Sequence, residues 1–419
     1  MADLVSVLVD VDAGGGHDYT SLNAAEADNW GATSADLISE DENVECECIA
    51  SSGSADTTAV DIDGLTTDAT RFLKIFTDTD RHSGVWSDSL YRLDIATGST
   101  DAIRVSDPFV TLDGLQVSVS VNGTYGIHVS LTNDEVSTVI NCIIRTTPVS
   151  NTREGLRNVY GTGSGATCYW HNNIIYGPWD YGFITSTTTY YFDNNTLHGC
   201  IDGIREAGGT VVCRNNVVQD SSGSNFVGSP DSPSDYNVSD DATSAGGAHD
   251  WTTTSVTFEN EGGDDFHLDS TEDGNYEGVD LSGIFTTDID GDTRSDWDCG
   301  VDEIVGATVH SGQCSMSASG TVSVAATAVR PGASSMTGSG SVTAAASAIR
   351  PAASAMTGSG ALTSAATAIR SASCSMTGSG SVTCAATAIR PGASSMTGSG
   401  SVTAAASAIR PGASAMTGR

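Results

Sequence analysis

Lysine is nearly absent: Lys74 is the only one in 419 residues. Acidic side chains outnumber basic ones 52 to 17, and the net charge of −35 argues against nucleic acid as a partner. Aromatic residues make up only 6% of the chain, too few for a thick globular enzyme core. A narrow, repetitive core fits that supply better. No apolar run approaches the roughly 20 residues that a bilayer span needs, so membrane insertion is not expected. No basic-then-apolar leader opens the chain either. The ten cysteines include no Cys-x-x-Cys pair, which removes the usual zinc-site spacing. Most of them lie in apolar, strand-like runs and read as buried thiols.

The charge is unevenly placed. Residues 311–419 hold no Asp or Glu and six arginines, a net +6, so residues 1–310 must carry −41 to give the total of −35. This length suits two or three domains rather than one core.

A repeat runs through the acidic part. Leu112-Asp113-Gly114-Leu115, Ile140-Asn141-Cys142-Ile143, His171-Asn172-Asn173-Ile174, Asp193-Asn194-Asn195-Thr196 and Arg214-Asn215-Asn216-Val217 line up, at steps of 28, 31, 22 and 21. A second marker, Gly126-Ile127, Gly155-Leu156, Gly182-Phe183 and Gly203-Ile204, advances with them. The unit reads as strand, Asn or Asp corner, strand, looser turn, strand, and about 21 residues complete one lap of a parallel β-helix. Asn suits the corner because it tolerates left-handed backbone angles. Asn172, Asn194 and Asn215 are therefore expected to stack as a structural ladder. Upstream, Thr20 to Trp30 predicts a helix capped by Ser21 that covers the open first rung.

From about residue 311 the period becomes 20, with Met at 316, 336, 356, 376, 396 and 416. Within a copy, apolar Met336, Val342, Ala344, Ala346 and Ala348 alternate with hydroxyl residues, a strand pattern broken by Gly-Ser-Gly. Cys374 and Cys384 are equidistant from Ser379. A hairpin turning there would set them opposite each other, and a flattened solenoid would also bring them near. A disulfide between them is one reading, and two separate buried thiols the other. The expected organisation is an N-terminal lead-in and capping helix over 1–30, a coil over 31–305 and β repeats over 306–419.

The opening Asp18-Tyr19-Thr20-Ser21-Leu22, the Asn-Asn rungs and the ending Asp288-Ile289-Asp290-Gly291-Asp292-Thr293-Arg294 with Gly300-Val301-Asp302-Glu303 together resemble right-handed parallel β-helix proteins of the pectate-lyase-like kind. Such proteins occur among bacterial surface proteins and in tailed viruses. The resemblance implies an all-β fold for roughly residues 15–305 and does not imply a reaction, because the fold carries lyases, hydrolases, adhesins and spacers. A structural or adhesive virion protein (fibre, spike or surface appendage) is the first expectation. Its partners would be other virion proteins and host-surface polysaccharide, and its location a virion or extracellular surface. Related proteins are usually trimeric, which implies a homo-oligomer, although no trimer-forming coiled coil marks the sequence. The rivals are a polysaccharide-degrading enzyme and a bacterial adhesin.

An enzyme would need carboxylates grouped on an outer groove. The candidates are Asp180, Asp193, Asp202, Glu206 and Asp220, with Trp170, Trp179, Tyr190 and Tyr191 as sugar-stacking surfaces. Asp193 aligns with His171 and Arg214 in an expected outward column, so a surface ion-pair ladder is the competing reading. Asp288, Asp290 and Asp292 occupy positions 1, 3 and 5 of a calcium-loop pattern. Cys299 stands where the bidentate Glu belongs, which excludes a complete EF-hand and leaves calcium as the one cofactor to consider.

Overall fold

The structure, a computed structural model, describes residues 2–304 apart from 14–15, 99–100, 132–134, 148–152, 159–164 and 273–274, and in 305–419 the backbone of the strands alone. Residues 1–304 and 305–419 form two compact units.

In the first unit three parallel sheets run along the coil. The first sheet has eight strands, from Asp3–Asp10 through Thr167–His171 and Thr189–Asp193 to Thr210–Arg214. The second and third have seven each; Thr196–His198 and Tyr181–Ile184 are typical members. Each strand pairs with its counterpart one lap on, as Trp170 with Phe192 and Phe192 with Cys213. The unit is a parallel β-helix.

Two details of the sequence alignment change. Register sets Ile140 beside Asp113, so the corner Asn141 matches Gly114 and that step is 27 rather than 28. Backbone angle explains the match: Gly114 (φ 78°), Asn141 (56°), Asn172 (54°), Asn194 (51°) and Asn215 (57°) are all left-handed. The coil also begins earlier than residue 31. Asp3–Asp10, with Val5, Val7 and Val9 alternating, is already the first strand of the first sheet and pairs with Glu42–Ile49.

The expected helix is shorter than Thr20 to Trp30. It spans Leu22–Glu26, with the Ser21 hydroxyl accepting the Ala24 amide at 3.1 Å. Asn29 and Trp30 both have positive φ, which no α-helix continues through.

The glycine marker has a packing cause. Gly126, Gly155, Gly182 and Gly203 stack in the third sheet, and a Cβ on them would lie 2.4–2.7 Å from Ile144, Ile175, Leu197 and Val218 of the second sheet. Inside the coil, Trp170, Phe183 and Phe192 fill the core, with the two Phe rings stacked at 4.5 Å. After Val238–Ser239 the coil stops. Residues 240–304 form a short antiparallel hairpin, Phe258–Asn260 with Asp265–Leu268, and then a segment that returns along the Asn corner.

In the second unit each strand pairs in parallel with the same strand of the next copy, in sheets of six and five. Of the hairpin and solenoid alternatives, this pairing belongs to the solenoid. Cys374 pairs with Ser354 and Ser394 in one sheet, and Cys384 with Ser364 and Ala404 in the other. They do not face each other across a hairpin, and a disulfide between their side chains lies outside the described residues.

Candidate functional site

The corner residues make two columns. The outer one holds Asn141, Asn172, Asn194 and Asn215, as the sequence indicates. Asn172 Nδ2 donates to Asn141 Oδ1 at 3.3 Å, and Asn215 Nδ2 to Asn194 Oδ1 at 3.0 Å. The inner column was not singled out from sequence and is the more continuous. The amides of Asn173, Asn195 and Asn216 donate to Asn195, Asn216 and Asn237 Oδ1 at 2.9, 2.9 and 3.1 Å. Their Nδ2 atoms bond the same oxygens and also the carbonyls of Val139, Trp170 and Phe192. Asp250 ends the column, its Oδ1 accepting both Asn237 N and Nδ2. A carboxylate fits there because it accepts without needing a partner to donate to. The signal for this ladder was present: Asn237 follows Asn216 at the same interval that separates Asn216 from Asn195.

The returning segment covers the outer column. Asn172, Asn194 and Asn215 donate to the carbonyls of Thr287, Asp298 and Val279 at 2.7, 2.9 and 2.8 Å. Arg294, fully buried, donates to Asn172 Oδ1 and to the carbonyls of Gly300 and Val301 at 2.9, 3.0 and 2.7 Å, with Glu303 Oε2 3.7 Å from Nη1. The DxDGDxR and GxDE motifs therefore act as one clasp on the corner.

Beside the corner, His171, Asp193 and Arg214 stack in register, as their alignment indicates, but His171 and Asp193 are buried, which corrects the expected outward surface column. Asp193 is completely buried and takes a two-pronged contact from Arg214, at 2.8 and 2.7 Å. Burial lifts its carboxyl to about 6 in spite of Arg214. Burial, aided by the Arg214 charge, pushes His171 down to about 3. The imidazole is thus neutral, and its 3.4 Å approach to Asp193 is not an ion pair. Phe285 of the returning segment stacks on it at 4.9 Å. Within the column only Arg214 reaches solvent, half-buried.

The other candidates scatter. Trp170, Trp179 and Tyr190 are core residues, exposed by 1% or less, because inward positions of the first sheet, and of the turn between the second and third sheets, fill the coil. They offer no ring to a sugar, which corrects that expectation. Tyr191 faces outward and stacks on Tyr169 at 5.2 Å, with rings 10° apart. Asp202 Oδ1 accepts the Ser224 amide, and Glu206 Oε2 the Ser229 amide, at 3.0 and 2.7 Å. Asp180 is half-buried, and burial raises its pKa.

The calcium-loop residues do not converge on one point. Asp288 Oδ1 accepts the amides of Asp290 and Asp292 at 3.0 and 2.8 Å, closing a tight turn. Asp290 instead meets His267 at 3.1 Å, and Asp292 is exposed. Two other groups among the described residues bring ligand atoms within 4.8 Å of one another: His198, Asp220 and Glu261; and His267, Asp290 and Asp302. Burial works against a charged His267, but Asp290, Asp302 and Asp265 outweigh it and raise its pKa to about 10.

No protein-family profile matches the chain, and no curated protein does. Among solved structures, a PL6 family alginate lyase, AlyGC, aligns with 94% of this chain and 76% of its own, at 9% identity and a TM-score of 0.18. So low a score carries no argument about activity.

Proposed function

We propose that this protein is a non-enzymatic structural or adhesive β-helix, a fibre, spike or surface appendage of a tailed virus. One observation supports the non-enzymatic half. Asp193, the most deeply set candidate, is spent on Arg214, while Asp202 and Glu206 hold neighbouring amides. Lys74, the single lysine, is 3.3 Å from Asp113. The strongly acidic coil disfavours a polyanionic polysaccharide such as alginate, so a neutral or cationic host-surface glycan is the better match. The outward Tyr169–Tyr191 pair is the stacking platform for it. Other virion proteins and further copies of the chain, a trimer by the resemblance, complete the assembly.

The test presents the full-length chain to a panel of capsular and cell-wall polysaccharides. Retention without new reducing ends or unsaturated sugars, weakened at least tenfold by Tyr169→Ala with Tyr191→Ala, is expected. Depolymerisation of any member of the panel would place the protein with the enzymes instead.

A further inference from the structure

The returning segment draws three residues from separate elements to one point. His267 lies in the strand Asp265–Leu268, Asp290 in the tight turn closed by Asp288, and Asp302 near the end of the unit. One ligand atom from each lies within 4.8 Å of the other two. On the far side of the imidazole, Nδ1 is 2.5 Å from Asp265 Oδ1. A carboxylate on that nitrogen fixes the tautomer and leaves Nε2 as the donor atom, the arrangement that orients metal-binding histidines. Nε2 is buried and makes no hydrogen bond of good geometry, although Asp290 Oδ2 is only 3.1 Å away. Two metal–ligand bonds of about 2.0–2.1 Å meeting at roughly 100° span such a separation.

We propose that His267, Asp290 and Asp302 form a binding site for one divalent first-row transition ion. The imidazole nitrogen selects this class over calcium, which prefers an all-oxygen shell. Asp288 and Asp292 stand outside the three residues whose ligand atoms converge, whereas Asp302, although its Oδ2 accepts the Leu268 amide at 2.8 Å, lies among them. Binding displaces the Nε2 proton to solvent and leaves the other proton on Nδ1, donated to Asp265 Oδ1. The ion ties the hairpin, the turn and the end of the clasp together.

Zn²⁺ is the probe. Full-length protein is stripped with chelator, dialysed against Zn²⁺ and assayed for metal per chain, alongside Asp290→Asn and Asp220→Asn. Asp290 is exposed, so its variant keeps the fold, as circular dichroism would verify. Asp220→Asn controls for the second cluster, His198, Asp220 and Glu261. The wild type and Asp220→Asn should each bind one more zinc than Asp290→Asn. Asp265→Asn, acting through the imidazole, should weaken that site about 10–100-fold. Cobalt substitution should give a paramagnetically shifted Nδ1–H resonance from His267. Equal metal content in the wild type and Asp290→Asn, including none in either, would overturn the proposal.

Discussion

Asn195 accepts hydrogen bonds from the amide and side chain of Asn173 and donates to Trp170 O, Asp193 O and Asn216 Oδ1, all where no water reaches. Asn195→Ala strands several of those groups at about 1–3 kcal/mol each, less what relaxation recovers. A net loss of about 3–5 kcal/mol in urea unfolding is expected, and a loss under about 1 kcal/mol would mean the ladder is not structural. Asp193 gives a pH signature. Its folded pKa of about 6 lies above the unfolded value of roughly 3.9. The native state therefore holds the proton more tightly, and this group's contribution to stability falls as pH rises from 4 through 6. Two units correspond to roughly 3 kcal/mol. Asp193→Asn removes this titration, so the variant should compare with the wild type better at pH 7 than at pH 4. Unfolding curves at the two pH values measure the difference, and a gap that does not change with pH would contradict it.

The clasp is the element on which the corner depends, and Arg294 is its centre. Replacing it with Met keeps the bulk but removes donors to Asn172, Gly300 and Val301 and leaves buried Glu303 without its cation. Breaking a buried pair in this way costs about 3–5 kcal/mol. Limited proteolysis should then cut residues 279–303 well before the coil, whereas cleavage there at the wild-type rate would show that the clasp holds without its arginine. This element also marks how far the sequence could be read. The laps were legible because corner Asn and stacked Gly each answer a local constraint, a left-handed φ or a missing Cβ, that recurs every lap. The clasp was legible only as a motif. Its role is to satisfy Asn172, Asn194 and Asn215 from a distant part of the chain, and no periodicity encodes that. The burial of Trp170, Trp179 and Tyr190 is not legible for a different reason. Aromatic type does not say which side of a strand, or of a turn such as that of Trp179, faces in, and in a strand a one-residue change of register exchanges core and solvent faces. The cluster of His267 with Asp290 and Asp302 has no sequence signature, because the three come from separate parts of the returning segment.

At the scale of the molecule, two solenoids of different period stand in one chain, and their lengths are set differently. The laps of the first unit differ in length because insertions are absorbed in the turns, while the sheet register stays fixed by the corners. The second unit has no such freedom. Every strand pairs with its counterpart in the next copy, Met336 with Met356 and Val342 with Leu362, and successive strands alternate between two sheets. Stability in such an array is a sum over copies and their interfaces, so whole copies are exchangeable units. Excising residues 351–370 joins Arg350 to Ser371, and each remaining strand meets a partner of the same sequence type. Excising 351–360 instead brings two strands of one sheet together in sequence and breaks the alternation. The full-length chain lacking one copy should keep its β circular dichroism per residue and unfold close to the wild type. The half-copy deletion should lose ordered β signal in the tail and aggregate, since strands without their counterpart expose open edges. If both deletions behaved alike, pairing between successive copies would not be what orders this unit.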